Sequence, residues 1–521
     1  MYSVFSSDDA VAVLSQEACV RWSGSICGPA SRNASTHAAV VLVALTCGNK
    51  RDVNTRAYDV VIVGAGSGGV SLARMLVDAG RRVALVASGF VGGECPYVAC
   101  MPSKSLLRSA RARIEARELV EHGAAGNAVD VGPDGRAWVQ AVRRRDETAN
   151  NRDDTKHADS LLEQGIDVVR GFGVLAGNGN VEVDGQVLQG EHIVIDAGSV
   201  PVHPDITGLD AVPSWTSDAA LTSDELPERL LILGGGPIGC ELAQAYAAFG
   251  TTVSIVDTAD RLVPSEDDVI SQAMMTVLQA AGARLVLGAT PERVEPDGEG
   301  IRMHLDNGTT LTADRLLVVV GRTPATEGLD VEAAGATLAD NGSIETDEYC
   351  QAAAGLWAIG DVTGLAPYTH TANYQARIVG DAILGRKNHA VTPDALPRAV
   401  FTEPPLGATG LTETQARDRD IDVVIVDVDL AEVSRAGAEG QGPLGPPNSS
   451  GGVLRLIINR DAGLLVGAAA VGPHADAWIG EATLAIRAQV PVHVLADVVR
   501  PFPTYAEAFT LGYNRALDQL S

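Results

Sequence analysis

The chain has 521 residues, enough for three or more domains, and its hydrophobic content of 46% with 20% charged residues is typical of a globular protein. The formal net charge of -27 argues against nucleic acid or an anionic membrane surface as a partner. No apolar run in the sequence reaches the length of a transmembrane helix. We therefore predict a globular, cytoplasmic protein with no nucleic acid and no membrane partner.

Residues 1–56 form a separate segment that holds three of the seven cysteines. An apolar run at 38–45 resembles an export signal, but Asp8, Asp9 and Glu17 are incompatible with a basic leader and the run begins too late. We expect this segment to be a flexible extension or the product of a misplaced start codon.

A strand, a glycine turn and a helix follow one another at 58–79. The apolar run 58–63 leads into Gly64, Gly66 and Gly69, and a helical stretch follows. Glycines at these positions let backbone amides approach the diphosphate of a dinucleotide, while the helix N-terminus offsets its charge. A single match of this kind is a weak signal.

Two cysteines, Cys95 and Cys100, stand five positions apart just before a predicted helix. Pro102 suits the first helical position and residues 104–120 favour helix, so we expect Cys100 near the positive end of that helix. A thiolate is stabilised there and its pKa falls, which favours a redox disulfide. Half a zinc site or two buried thiols are the alternatives. The other five cysteines lack ligand spacing, so no metal site is predicted.

The glycine pattern recurs at 230–239, again between an apolar strand and a helix. The copies align without a gap, pairing Gly64 with Gly234, Gly66 with Gly236 and Gly69 with Gly239. Two such units in one chain outweigh a chance glycine-rich turn. Asp257 ends the second strand of the second unit, where a carboxylate accepts bonds from a ribose 2'-hydroxyl and repels a 2'-phosphate. This favours NADH over NADPH, unless Asp257 is only a loop residue.

Four further segments stand in order along the chain, at 320–324, 358–362, 401–405 and 471–475. With the two glycine motifs and the cysteine pair, they resemble the FAD-dependent pyridine nucleotide-disulfide oxidoreductases, the family of dihydrolipoamide dehydrogenase, glutathione reductase and mercuric reductase. The resemblance runs from residue 57 to the C-terminus. The set of motifs is highly specific, although each one alone is weak.

The resemblance implies an α/β fold with two Rossmann-like dinucleotide-binding domains, for FAD and NAD(P)H, and a C-terminal α+β dimerisation domain. Residues 57–205 and 335–385 would form the FAD-binding domain, and residues 206–334 the NAD(P)H-binding domain. Residues 386–521 would form the interface domain of a homodimer.

The resemblance also implies roles around the cysteine pair. Cys95 is expected to be the interchange thiol that attacks a disulfide substrate, and Cys100 the charge-transfer thiol that contacts the flavin. Lys104 and Glu241 match a buried ion pair that places positive charge near the reactive ring of the flavin. Electrons would pass from NAD(P)H through FAD to the disulfide.

Other positions match, or depart from, residues that hold the cofactors in the family. Asp361 matches the residue that receives a ribityl hydroxyl of the flavin, and Arg322 lies in the segment that returns from the NAD(P)H domain to the flavin. Ala87 stands where the family usually has a glutamate on the adenosine ribose of FAD. We therefore expect weaker FAD retention, offset in part by Ser88. A smaller departure is Asp196, where relatives tend to have alanine.

The C-terminal region departs from thiol-reducing relatives at Phe502, where they carry a histidine, and phenylalanine cannot move a proton. Glu507 matches the glutamate that orients that imidazole. Lipoamide and glutathione disulfide are therefore expected to be poor substrates. Mercuric reductases, which also lack the histidine, end in a cysteine pair that is missing from this sequence, so metal reduction through such a pair is not expected.

The predicted function is an FAD-dependent NAD(P)H oxidoreductase that passes electrons from NADH through FAD and the redox-active disulfide to a small-molecule disulfide or similar acceptor. One alternative is an NAD(P)H quinone reductase or diaphorase that acts at the flavin without the disulfide. The other is a non-catalytic dimeric flavoprotein scaffold. Nothing in the sequence identifies the acceptor.

Overall fold

The computed structural model of this protein describes residues 55–120, 123–132, 135–439 and 452–521. The prediction for residues 1–56 lies outside these ranges except for Thr55 and Arg56, which begin a strand. Within these ranges, no helix combines the length and hydropathy that a membrane span requires.

Residues 55–201 alternate strands and helices and end in antiparallel strands. The strands are β1 (Thr55–Val63), β2 (Val83–Ala87), β3 (Asp167–Arg170), β4 (Gly173–Gly177), β5 (Asn180–Val183), β6 (Gln186–Ile195) and β7 (Ser199–Pro201). The helices are α1 (Ser67–Asp78), α2 (Glu94–Tyr97), α3 (Cys100–Glu118), α4 (Gly135–Thr148) and α5 (Thr155–Glu163).

Residues 214–383 contain a second set of such elements and then a short return to the first. The strands are β8 (Ser214–Trp215), β9 (Arg229–Leu233), β10 (Thr252–Asp257), β11 (Arg284–Leu287), β12 (Pro291–Asp297), β13 (Gly300–Leu305), β14 (Thr310–Ala313), β15 (Arg315–Val318), β16 (Arg322–Pro324), β17 (Gln351–Ala353) and β18 (Leu356–Ala358). The helices are α6 (Ser217–Thr222), α7 (Pro237–Ala248), α8 (Asp268–Ala280) and α9 (Thr369–Ile383).

Residues 398–520 form the C-terminal unit. Its strands are β19 (Arg398–Val400), β20 (Leu406–Gly410), β21 (Val423–Asp429), β22 (Val453–Asn459) and β23 (Leu464–Val471). Its helices are α10 (Glu413–Asp418), α11 (Ser434–Ala438), α12 (Ala475–Trp478), α13 (Gly480–Ala488), α14 (Val492–Ala496) and α15 (Glu507–Leu520).

The first sheet has the strand order β17-β18-β6-β1-β2-β3, and β4 and β5 extend it antiparallel to β6. Strand β1 pairs in parallel with both neighbours, so that Val61 lies opposite Ala84 and Ile193. The second half of β1 and all of β2 are buried, as expected for parallel strands covered on both faces. The carboxyl end of β1 therefore lies at the sheet edge where α/β folds bind ligands.

The second sheet, β11-β10-β9-β15-β8, is parallel throughout, with β9 in the place that β1 holds in the first sheet. Strands β12, β13 and β14 form a separate antiparallel sheet. Strands β7 and β16, which lead into and out of this unit, pair with each other, with Thr323 opposite Val200. The two chain crossings between the two α/β units thus lie side by side.

The C-terminal sheet, β19-β20-β23-β22-β21, is antiparallel. Helix α15 packs on β21 and β22 and buries Phe509 and Tyr513 in the core of this unit. Two parallel α/β units followed by an α+β unit are the predicted fold class, which is confirmed.

One hydrophobic cluster joins all three units. It contains Leu106 from α3, Tyr246 from α7 and Val471 from β23. Helix α3 is therefore held between the other two units. Its N-terminus carries the cysteine pair, so the packing of this cluster sets the position of the thiols.

Helix α3 begins at Cys100, after the N-cap residue Ala99, and not at Pro102 as the sequence pattern indicated. Pro102 is its third residue. The first four N–H groups of a helix have no intrahelical partner, so proline is tolerated there as well as at the first position. Cys100 thus lies at the helix terminus itself.

Candidate functional site

The two cysteines lie at the junction of α2 and α3. Cys95 is in α2 and Cys100 is the first residue of α3. Both are half-buried reduced thiols, and their side chains are hydrogen-bonded to each other. The pair is therefore a dithiol within one local structure, as the redox interpretation requires.

The two thiols have very different acidities. The hydrogen bond from Cys95 lowers the pKa of Cys100 to about 6, helped by Thr369 and by the charge of Lys104 and opposed by burial. The Thr369 Oγ1 atom lies 3.7 Å from the sulfur of Cys100. The same thiol pair and burial raise the pKa of Cys95 well above its usual range. At neutral pH the dithiol is therefore a Cys100 thiolate beside a Cys95 thiol.

An ion pair lies one helical turn beyond Cys100. Lys104 Nζ donates to Glu241 Oε2 at 2.8 Å, and the Glu241 side chain is only 8% exposed. The other Glu241 oxygen accepts the backbone N–H of Phe401 at 3.0 Å. Lys104 Nζ also lies 4.5 Å from the centre of the Phe401 ring. The predicted pair thus connects α3, α7 and the segment after β19.

The first glycine turn has the geometry of a dinucleotide cradle. Gly64 has φ +110°, and a Cβ there would lie 2.1 Å from the carbonyl oxygen of Asp196. A Cβ on Gly69 would lie 2.6 Å from the carbonyl oxygen of Gly64. Only glycine fits these positions, and the turn leads directly into the N-terminus of α1, which suits a diphosphate. Gly64, Gly66 and Gly69 therefore fit the FAD-binding role.

The side chain of Asp196, the residue after β6, packs against the same turn. Its Oδ2 atom accepts the N–H of Gly69 at 2.7 Å, and the residue is 6% exposed. Burial raises its pKa to about 8. In the sequence this position is only a minor departure from the alanine of relatives, and no motif indicates its place beside the glycines.

Strand β2 ends at Ala87, the position where relatives usually have a glutamate that contacts the adenosine ribose of FAD. Ala87 is buried, and the exposed Ser88 follows it. The loop after Ser88 is held by Asp154, which accepts the N–H of Val91 at 2.6 Å and pairs with both terminal nitrogens of Arg170 at 2.8 and 2.9 Å. Asp154 and Arg170 shape this loop and had no signal in the sequence motifs.

The second glycine turn repeats the first. Gly234 has φ +115°, and a Cβ there would lie 2.4 Å from the carbonyl oxygen of Val319. Asp257 accepts the N–H of Gly235 at 2.5 Å and that of Ala259 at 2.8 Å. These bonds hold the carboxylate against the turn formed by Gly234, Gly236 and Gly239, next to the N-terminus of α7.

A polar chain links the crossing strands to the dithiol. Arg322 donates to the hydroxyl of Ser199 at 2.7 Å, and that hydroxyl donates to Asp361 at 2.6 Å. Arg322 also donates to the Glu94 carboxylate at 2.8 Å. Since Glu94 directly precedes Cys95, the structure connects Arg322 and Asp361 with the dithiol loop. Ser199 and Glu94 were not among the predicted site residues.

The predicted C-terminal residues are not joined to this cluster within one chain. Phe502 is 74% exposed. Glu507 begins α15, and its Oε2 atom is buried with no hydrogen-bond partner among the residues that the structure describes. In those same residues, no hydrogen bond or ion pair connects Glu507 with Cys95 or Cys100.

Comparison with known proteins decides the family. The family model for pyridine nucleotide-disulphide oxidoreductases matches residues 58–376, and the model for the dimerisation domain of that family matches residues 396–512. The chain belongs to the pyridine nucleotide-disulphide oxidoreductase family. The predicted family is thereby confirmed, and the dimerisation domain indicates a homodimer.

Relatives within this family have different activities. A mercuric reductase from Staphylococcus aureus is 32% identical over 473 residues, which cover 89% of this chain and 84% of that protein. A dihydrolipoyl dehydrogenase from Bacillus subtilis is 30% identical over 472 residues, 87% of this chain and 96% of that protein. The Cu(II) complex of the HOCl-induced flavoprotein disulfide reductase RclA from Escherichia coli superposes with a TM-score of 0.74 at 29% identity, covering 88% of this chain and 99% of that one.

Family membership establishes the general chemistry. Pyridine nucleotide-disulphide oxidoreductases depend on FAD and take electrons from NAD(P)H. The first glycine turn and Asp361 would hold FAD, and the second glycine turn would hold NAD(P)H. FAD, when bound, accepts a hydride from the nicotinamide and passes the electrons onward. These relatives are named for different substrates, so the acceptor is a separate question.

Proposed function

We propose that this protein is an NADH-dependent flavoprotein reductase in which the Cys95–Cys100 pair carries electrons from FAD to an external acceptor. Cys95 is the interchange thiol and Cys100 is the thiol next to the flavin. The observation that supports this most directly is the position of Cys100, which is the first residue of α3 and is hydrogen-bonded to Cys95, so that its pKa is lowered to about 6. A thiolate at neutral pH is the form that donates charge to a flavin and that reacts with an oxidant.

The Lys104–Glu241 ion pair supports the same reading. Its 2.8 Å contact holds a cation one turn from Cys100, where it stabilises both the thiolate and negative charge that develops on a reduced flavin. The low exposure of Glu241 limits screening by water. A non-catalytic scaffold would not require a cation and an acidic thiol side by side.

The acceptor is constrained by proton balance. Reducing a disulfide to two thiols, or a quinone to a hydroquinone, consumes two protons, and Phe502 cannot donate one. Reducing Cu(II) to Cu(I) consumes an electron and no proton, so one NADH reduces two cupric ions. The structural relative RclA forms a Cu(II) complex. We therefore propose cupric ion as a second candidate acceptor beside a disulfide that supplies its own acid.

The preference for NADH rests on Asp257. Its carboxylate is fixed by the amides of Gly235 and Ala259, so it cannot move away from a 2'-phosphate. Asp257→Ala should lower kcat/KM for NADH about tenfold and raise the relative rate with NADPH. Asp260→Ala, which alters an exposed carboxylate three residues away, is the matched control. An unchanged ratio in Asp257→Ala would contradict the preference.

The decisive experiment is anaerobic NADH oxidation by the FAD-loaded protein with low-molecular-weight disulfides, quinones, Hg(II) and Cu(II) as separate acceptors. Wild type is compared with Cys95→Ser and Cys100→Ser, and Cys350→Ala serves as a control for loss of a buried cysteine outside the pair. The proposal predicts that turnover falls at least a hundredfold in both serine variants.

Two other outcomes would identify the alternatives. Turnover that survives Cys95→Ser would show that the acceptor is reduced at the flavin without the disulfide. A protein that binds FAD and NADH but reduces none of these acceptors would support the scaffold reading.

A further inference from the structure

The side chain of Asp196 fills a pocket formed by glycines. A Cβ would lie 2.7 Å from its Oδ2 if placed on Gly66 and 2.9 Å from it if placed on Gly69. The Oδ1 atom lies 3.1 Å from a Cβ on Gly68 and 2.9 Å from one on Gly360. The carboxyl group therefore lies inside the turn that would receive the FAD diphosphate, and it already accepts the hydrogen bond that the Gly69 amide could donate to a phosphate.

The second nucleotide site provides an internal comparison. Asp196 donates its backbone N–H to Val63 at 2.7 Å, and Val319 donates its own to Leu233 at 2.8 Å. A Cβ on Gly64 would lie 2.1 Å from the carbonyl oxygen of Asp196. A Cβ on Gly234 would lie 2.4 Å from the carbonyl oxygen of Val319. The two residues are thus equivalent in the two repeats. One site has a carboxyl group at this position and the other has an apolar side chain.

An ionised Asp196 would oppose the cofactor. The diphosphate of a dinucleotide is itself anionic, and the helix N-terminus and glycine amides of this turn are the groups that compensate its charge. A second anion in the same buried turn takes one of those amides and adds repulsion that water does not screen. A protonated carboxyl group removes the charge and supplies an O–H donor to a phosphate oxygen.

We propose that Asp196 is a diphosphate-binding residue that acts as a protonated acid, so that FAD binding takes up a proton whenever this carboxyl group is ionised in the free site. The proton comes from solvent and converts the carboxylate into a carboxylic acid that donates to the diphosphate. The proposal rests on FAD binding at the first glycine turn, and it is independent of the role of the dithiol.

The environment of Asp196 agrees with this. The pKa of Asp196 is raised to about 8, mainly by burial and also by the carboxylate of Asp361, while the amides of Gly69 and Gly66 act in the opposite direction. A bound diphosphate adds negative charge and an acceptor, so the pKa of Asp196 in the complex lies higher still. By linkage, the FAD Kd is constant below the pKa of the free site. Above it the Kd rises, roughly tenfold for each pH unit, until the pKa of the complex is reached.

The charged groups around this carboxyl group are few. The first turn of α1 carries no ionisable side chain. On the segment after β18, Asp361 is the group whose charge reaches Asp196, and it is itself bonded to Ser199, which Arg322 contacts. On α9, the ring of His370 bonds to the carbonyl of Pro397. No cation on these elements contacts Asp196 among the described residues, so only backbone amides offset its charge.

The test is the FAD Kd of the full chain, freed of flavin, between pH 6 and pH 9.5, measured by quenching of flavin fluorescence. Wild type should show constant affinity up to about pH 8 and roughly tenfold weaker binding per pH unit above it. Asp196→Asn keeps a neutral donor, so it should bind as tightly as wild type at low pH and show no pH dependence in this range. Asp196→Ala should show none either, with weaker binding at pH 6.

Two measurements keep the test independent of folding defects in the variants. Calorimetry of wild type at pH 9, in buffers of different ionisation enthalpy, should detect uptake of about one proton per FAD. The NADH Kd of the same protein, at the site that carries Val319, should not show this dependence. A flat FAD profile in wild type, or an equal slope in Asp196→Asn, would overturn the proposal. Cys95→Ser should retain the full dependence, so failure of the electron-transfer function would not be mistaken for failure here.

Discussion

The guanidinium group of Arg322 lies 2.8 Å from the carboxylate of Glu94, although 228 residues separate them in the chain. Arg322 belongs to the strand that leaves the second nucleotide-binding unit, and Glu94 directly precedes Cys95. The contact therefore ties the dithiol loop to the crossing between the units. The Arg322 side chain also donates to the hydroxyl and the carbonyl oxygen of Ser199, so its position is well defined.

Replacing Arg322 tests this connection. Arg322→Met removes the bonds to Glu94 and Ser199, so the loop that holds Cys95 should become more mobile. We expect about a tenfold loss of turnover with every acceptor that uses the dithiol, while the FAD content changes little. Arg302→Met removes an exposed ion pair of the same kind in the second unit and serves as the control. Equal losses in both variants would indicate a general effect on stability.

The titration of Cys100 can be followed directly. Its pKa of about 6 means that the thiolate is formed above pH 6 and lost as the pH falls through this value. In protein reduced with one equivalent of dithionite, the long-wavelength absorbance from thiolate to flavin should decrease with a midpoint near pH 6. Cys95→Ala has no disulfide to reduce, so its absorbance band is followed in the protein with oxidised flavin; because the variant lacks the main hydrogen bond to this sulfur, the midpoint should move upward by about one unit or more.

The effect of the Thr369 hydroxyl on the pKa of Cys100 can be measured in the same titration. Thr369→Val removes the hydroxyl at 3.7 Å from the Cys100 sulfur and keeps the shape of the side chain. The midpoint should move upward less than in Cys95→Ala, because Thr369 is the weaker of the two contacts. A midpoint that does not move in either variant would contradict the assignment of Cys100 as the acidic thiol.

The Lys104–Glu241 pair should affect both stability and rate. Glu241→Gln keeps the volume of the side chain but leaves Lys104, whose side chain is 36% exposed, facing a neutral amide. We expect the free energy of unfolding to fall by about 1 kcal/mol, because water partly screens the cation, and flavin reduction by NADH to slow about tenfold. Chemical denaturation and stopped-flow absorbance measure the two effects. The exposed pair Arg143–Glu147, altered as Glu147→Gln, should show neither.

The proton donor can be restored at Phe502. Phe502→His should raise turnover with a disulfide such as lipoamide at least tenfold and introduce a new ionisation near pH 6.5. Phe502→Gln, which adds polarity without a titrating group, is the control. The Cu(II) rate should not rise in either variant, because that reaction consumes no proton. A disulfide rate that stays low in the histidine variant would mean that another group limits proton transfer.

Much of the fold was predictable because the repeated motifs are local. The strand, glycine turn and helix at 58–79 and at 230–239 are each specified by contiguous residues, and glycines tolerate backbone angles that other residues do not. Helix α3 was predicted with a later start, because Pro102 is acceptable at more than one position of a first helical turn. The site residues Cys95, Cys100, Lys104 and Glu241 were named from motifs, but their roles remain proposals.

The sequence by itself determined the two nucleotide-binding units, the dithiol and the family, since each depends on residue types at short spacing. The tertiary structure decided what those motifs face. The approach of Asp196 to the glycines 127 residues earlier, and of Arg322 to Glu94, depends on which strands become neighbours in the sheets. The acidity of Cys100 likewise depends on Thr369 and Lys104 packing around it. Such contacts join residues far apart in the chain, and electrostatic shifts follow from the burial that only the folded protein creates.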